Sequence, residues 1–156
     1  MRTSPKRIVC LTEETVETLY LLGEDQRIVG VSGYAVRPLQ VRREKPRVSA
    51  FTSANIPKIL ELNPDLVLAF SDLQAEIVAN LIREGLEVHA FNHRDIKGIL
   101  KMIYTIGALS GSTVTLTRAS DFDTSLDVSA LFIDPPYILI PFDLILKKFL
   151  NFKKIN

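Results

Sequence analysis

The chain has 156 residues, 47% of them apolar and 24% charged, enough for one domain with a core of its own. Its 19 lysines and arginines nearly balance its 18 aspartates and glutamates, so no net field favours nucleic acid or an anionic membrane surface. A single cysteine, Cys10, excludes an intrachain disulfide, and no apolar run reaches the ~18 residues of a membrane span.

Met1 to Lys6 is polar and too short to hold a secretory apolar segment, so the chain as written reads as cytoplasmic. Arg7 to Leu11 is a short β-branched run of the kind that forms strands buried on both faces. Cys10 inside it reads as a buried, inert thiol. Thr12 is placed to cap a helix whose first turn carries Glu13 and Glu14, favourable at the positive end of the helix dipole. Val16, Leu19 and Tyr20 share one face of that helix, and Gly23 offers a left-handed stop. Arg27 to Ser32 repeats the strand signal. Residues 33–55 read as an irregular connection, and the basic cluster Arg37, Arg42, Arg43, Lys45 and Arg47 within it as a solvated loop.

A short helix follows with Ile56, Ile59 and Leu60 inward, halted at Asn63 and Pro64. Asp65 to Phe70 is a third strand. Ser71 and Gln74 have the spacing of a capping box before a helix striped with Leu73, Ile77, Val78, Leu81 and Ile82, which Gly85 closes. Leu86 to Phe91 is a fourth strand, and Asn92 can cap a helix carrying Ile96, Ile99, Leu100 and Ile103. Alternating strands and helices predict an α/β fold: one Rossmann-like lobe with a four-stranded, mainly parallel sheet flanked by helices.

The character changes after Gly111. Every glycine and glutamate lies at or before that point, while half the aromatic residues lie beyond it. Residues 1–111 therefore read as the lobe, and residues 112–156 as an atypical, irregular tail with a different history.

Ligands of open parallel sheets bind at the carboxyl ends of the strands. Those positions hold Thr12 and Glu13, then Tyr34 after Ser32 and Gly33, then Ser71 and Asp72, then Asn92. The long connection adds Phe51 and Thr52. Hydroxyls, amides, two aromatic rings and helix starts suit a polar ligand with an apolar body, held by many modest contacts. Thr12, Ser71 and Asn92 read first as helix caps, and Asp72 as an acid favourable to the helix dipole. Tyr34 and Phe51 are more telling, because large rings in a loop are costly to leave wet. No serine, histidine and acid arrangement is legible, and no phosphate loop; GVSG at Gly30 to Gly33 is too short for a dinucleotide fingerprint. His89 and His93 are four apart, but His89 falls in a strand, so the helical geometry of a metal-binding pair is missing. The expectation is a non-catalytic site without metal or cofactor.

One motif points elsewhere. The strand-like run Val128 to Ile133 is followed by Asp134, Pro135, Pro136 and Tyr137. This resembles the S-adenosylmethionine-dependent amino-methyltransferases, where such an acid and prolyl carbonyl hold the target amine while the ring stacks on the base. No glycine-rich loop for the cofactor accompanies it.

The segments RIVCLTEETVETLYLLGEDQRIVGVSGY (Arg7 to Tyr34), PRVSAF (Pro46 to Phe51), NIPKILELNPDLVLAF (Asn55 to Phe70) and LEVHAFNHRDIKGILKMIYTIGALSG (Leu86 to Gly111) resemble, in order and spacing, the amino-terminal lobe of class III periplasmic binding proteins. Those proteins carry cobalamin, haem or ferric siderophores to ABC importers, and the cobalamin-binding branch is the most similar. The resemblance implies a corrinoid or iron chelate as ligand, with Tyr34, Phe51 and Thr52 in loops lining the cleft, and an ABC permease as partner. Relatives are periplasmic or lipid-anchored, and have a second lobe that the residues after Ser110 are too few to supply. They also carry an acidic residue that docks on the permease where this chain has Pro57, so docking through that contact is not expected.

Overall fold

The computed structural model describes residues 4–112. Its centre is β1 (Ile8–Cys10), a strand buried at every position. A strand with neighbours on both edges and helices on both faces cannot tolerate a polar side chain, which is why its sequence is an unbroken apolar run. β1 pairs in parallel with β2 (Ile28–Ser32) on one side and with β4 (Leu66–Phe70) on the other. β3 (Arg47–Ser49) and β5 (Val88–Phe91) complete a five-stranded sheet in the order β3-β2-β1-β4-β5, all pairs parallel.

Among the described residues five α-helices accompany it: α1 (Glu13–Leu21), α2 (Val41–Glu44), α3 (Ile56–Glu61), α4 (Ala75–Arg83) and α5 (Ile96–Ser110). Side chains alternate between faces along a strand. Val9 and Leu11 accordingly join Val67, Ala69 and Val48 in a cluster with Ile59 of α3 and with Ile77 and Leu81 of α4. Ile8 and Cys10 are buried as well, while α1 packs on α5 and both bury apolar residues, among them Val16, Leu19, Met102 and Ile103. Truncating a fully buried anchor such as Leu81 to alanine costs about 2–5 kcal/mol.

The sequence predicts a four-stranded sheet, and the sheet of the described residues has five strands. β3 lies inside the segment read as irregular. It is an edge strand of three residues in which only Val48 is buried, too short and too exposed to leave an apolar signature. The basic cluster beside it is not simply a solvated loop either. Val41 is buried at the start of α2, Lys45 Nζ donates to the Asp25 carbonyl, and Arg37 is part-buried among carboxylates.

Helix starts differ in detail. Thr12 occupies the cap position of α1, yet its hydroxyl faces the Thr15 hydroxyl at 3.3 Å and receives no backbone amide. Asn92 does not cap α5; Asp95 does, accepting from Gly98 N at 2.6 Å. Ser71 accepts from Leu73 N, but Gln74 turns to other partners, so no reciprocal capping box forms. Leu73 and Ile82 of the predicted stripe are exposed, while Ile77 and Leu81 are buried in the core cluster and half-buried Val78 packs against it. Gly23 and Gly85 do end their helices in the left-handed region, at φ 69° and 84°. Gly30 serves packing: a Cβ there would stand 2.7 Å from Cδ1 of Leu62, so glycine lets the end of α3 approach β2.

The tail assigned to residues 112–156, with its Asp134–Tyr137 motif, lies outside the described residues except for Ser112.

Candidate ligand-binding site

All five strands point the same way, so the loops leaving their carboxyl ends share one edge of the sheet. From β1 the chain winds outward through β2 and β3, then crosses back to begin β4 on the other side. The order therefore reverses between β1 and β4, and ligands of open parallel sheets bind at such a switch point.

Tyr34, two residues past β2, is 60% exposed at this edge. Its ring meets that of half-buried Phe51, two residues past β3, edge to face with centroids 6.4 Å apart. Edge-to-face contact sets the positive rim of one ring on the negative face of the other and leaves apolar surface open to a ligand. Thr52 beside Phe51 is exposed. Thr12 is buried against Thr15, so its hydroxyl serves the start of α1.

Glu13 accepts from the backbone N of Val36 at 3.4 Å and from Arg37 Nε at 3.2 Å, fastening the loop that carries Tyr34 to the first turn of α1. Arg37 also pairs with Glu17, whose side chain is 6% exposed, at 2.9 Å. Burial holds the neighbouring Glu14 carboxyl above its ordinary range. Sequence reasoning missed Arg37 and Glu17 as parts of this edge, since nothing in the spacing of residues 13, 17 and 37 says that the loop folds back onto the helix.

Ser71 is nearly buried and adopts φ 58° and ψ 176°, a conformation that side chains other than glycine's rarely take. Its backbone N donates to the Phe91 carbonyl at 2.6 Å, and its hydroxyl accepts from Leu73 N at 3.3 Å. Strain of this kind, over-determined by its surroundings, recurs at functional turns.

Asp72 and Asn92 are exposed. Asp72 pairs with Arg94, whose guanidinium holds its carboxyl below the usual range. Asn92 lines a cavity of about 540 Å³ between the end of β5 and α5, together with His89, His93, Lys101 and Thr105. The eight residues picked from the sequence thus divide. Thr12, Glu13, Tyr34, Phe51, Thr52 and Ser71 belong to the ends of β1 to β4, and Asp72 and Asn92 to the β5 side. The two histidines lie tilted against separate rings, His89 on Phe91 at 4.5 Å and His93 on Phe70 at 4.7 Å.

A parallel sheet in this order, with ligand-type residues at its strand ends, is a frame that binding proteins share with many enzymes, so likeness to known chains decides between them. The family model described as Periplasmic binding protein matches residues 8–122. The chain belongs to this family. A cobalamin-binding protein of Halobacterium salinarum is 30% identical over 112 residues, which are 70% of this chain and 30% of that protein. An ABC transporter substrate-binding lipoprotein of Bacillus subtilis is 29% identical over 116 residues, 72% of this chain and 36% of the relative. Among solved structures, the periplasmic vitamin B12 binding protein of Vibrio cholerae superposes with a TM-score of 0.63 at 29% identity, covering 69% of this chain and 42% of that one. A periplasmic haem-binding protein of Pseudomonas aeruginosa shares the fold, with a TM-score of 0.64 at 20% identity, over 69% of this chain and 39% of its own. The chain spans less than half the length of each of these four proteins. The family read from the four sequence segments is the family found, and these relatives are named as binding proteins, not as enzymes.

Proposed function

We propose that residues 1–111 form one lobe of a solute-binding protein of an ABC importer, and that its ligand is a corrinoid or an iron chelate. The Tyr34 and Phe51 pair at the strand ends carries this reading. Two rings set edge to face on neighbouring loops, one of them largely exposed, offer an apolar wall to a flat macrocycle or a bulky chelate. Glu13, Thr52 and Ser71 add polar contacts around them. The names of the relatives support the ligand class, two being cobalamin or vitamin B12 binders and one a haem binder. Capture of this sort needs no bond to be made or broken; shape, ring contact and a few hydrogen bonds suffice.

One lobe by itself would bury only part of such a ligand, so residues 1–111 alone are expected to bind it weakly. The permease would be met by the same end of the molecule, yet Pro57, exposed in the first turn of α3, offers no charge for an arginine. Titration of the isotope-labelled chain with cyanocobalamin and with a gallium siderophore chelate, both diamagnetic, tests the reading. Resonances of Tyr34, Phe51 and Thr52 are expected to shift with at least one of them, and S-adenosylmethionine is expected to leave them unmoved. Shifts confined to residues far from the strand ends, or none with either ligand, would overturn it.

A further inference from the structure

We infer that Gln74 is the positioning residue of this site, the side chain that sets where Phe51 stands relative to the switch point between β1 and β4. As a role in ligand capture it rests on the reading just proposed; as a matter of geometry it stands alone. Gln74 is completely buried. Its Oε1 accepts from the backbone N of Phe70, the last residue of β4, at 2.9 Å. Its Nε2 donates to the carbonyl of Leu11, just past β1, at 3.2 Å, and to the carbonyl of Phe51 at 2.9 Å.

A primary amide has two N–H donors and one oxygen acceptor. One N–H donor and two carbonyl acceptors surround Gln74, so only one orientation of the amide satisfies all three. Both donors are spent on separate segments of backbone. One side chain thereby ties both strands at the switch point to the loop that bears an aromatic residue of the site.

The loop has its own internal bonds, Ala50 N to the Ser53 carbonyl at 2.8 Å and Asn55 N to the Val48 carbonyl at 2.9 Å. Those bonds shape it but do not dock it on β1 and β4. The Gln74 amide is the polar tie that docks it there, beside the apolar packing of Ala54 and the 2.7 Å bond from Gly33 N to the Ser49 carbonyl that joins the Tyr34 and Phe51 loops.

Two substitutions separate the donors from the shape. Gln74→Glu keeps an acceptor for Phe70 N but turns a carboxylate toward two carbonyls. Gln74→Met keeps the length and removes every donor. In the full chain, both are expected to lose the Overhauser contact between the Tyr34 and Phe51 rings. Amide exchange at Ala50 is expected to rise at least about tenfold, while Val67 and Leu68 in the sheet keep their rates. In the parent chain the two side-chain amide protons of Gln74 are expected to exchange slowly, a signature that needs no variant to fold. Solvent-like exchange of those protons, or an intact ring contact with unchanged Ala50 exchange in a folded variant, would refute the assignment. Where cyanocobalamin shifts the parent's Tyr34 and Phe51 resonances, each variant is expected to bind it at least about tenfold more weakly, and equal binding would likewise refute it. Absence of any ligand response in the parent counts against the ligand reading alone, and the ring contact and exchange rates then decide the role of Gln74.

Discussion

Arg37 Nε lies 2.9 Å from Oε1 of Glu17, a carboxylate 6% exposed on the inner side of α1, and 3.2 Å from Oε1 of Glu13. One guanidinium thus offsets two acids on successive turns while holding the Tyr34 loop. Removing it leaves a buried carboxylate short of its cation, whereas removing the charge of Glu17 leaves only a weakened hydrogen bond. Arg37→Met is expected to cost about 2–3 kcal/mol by urea denaturation, and Glu17→Gln about 1 kcal/mol. Equal costs, or no cost for Arg37→Met, would show that the pair is screened by solvent and holds nothing.

Ser71 combines a strained backbone with a useful hydroxyl, and the two can be separated. Ser71→Ala keeps φ 58° and loses the acceptor for Leu73 N; Ser71→Gly loses the acceptor and relieves the strain. The strain is worth about 1–3 kcal/mol, and the hydroxyl about 1 kcal/mol. Alanine is therefore expected to destabilise by about 1 kcal/mol, and glycine to be neutral or stabilising. Thermal unfolding of the two variants checks the order; alanine more stable than glycine would contradict it.

The central strands were legible for a physical reason. β1 and β4 are covered on both faces and paired on both edges, so only apolar residues survive there and the run announces itself. β3 bears one buried residue at a sheet edge, and its strand character comes from pairing with β2 rather than from its own sequence. The site divides in the same way. Tyr34 and Phe51 stood out because bulky rings in loops need a reason, and the structure brings them together. The spacing of Gln74 from Ser71 suggests a local cap, while its bonds reach to Leu11 and Phe51, contacts that only the closed sheet creates. The sequence suggests Asn92 as a cap, but Asp95, in extended backbone at φ −148°, takes that place.

Gly98 sits in the first turn of α5, where alanine would normally stabilise a helix by about 1 kcal/mol. Here a Cβ would stand 2.6 Å from Cβ of His93 and 3.1 Å from the Asp95 carboxylate that caps the helix. A Cβ close to backbone cannot swing aside, so the clash moves the chain or the cap. Gly98→Ala is expected to destabilise by about 1–2 kcal/mol despite its helix propensity, with loss of amide protection at the start of α5. A stabilised variant would mean that the β5 to α5 turn yields freely.

His93 lies against Phe70, half-buried, with an Nδ1 that is buried and has no hydrogen-bond partner among the described residues. Burial holds its pKa below the ordinary 6.5; Asp95 opposes this effect and Arg94 adds to it. The unfolded chain therefore takes up the proton first as pH falls. Stability from keeping His93 neutral is complete above the unfolded value of 6.5 and is lost as pH falls through that value toward the lower folded one. Urea midpoints of the parent are expected to decline from about pH 7 to pH 5, and those of His93→Phe, which keeps the ring and cannot protonate, to decline less. Carboxylates titrating in the same range act equally on both chains, so the difference between the two curves isolates the imidazole. Parallel curves, or a His93 imidazole that titrates at or above 6.5 by NMR, would contradict the burial that the ring contact with Phe70 imposes.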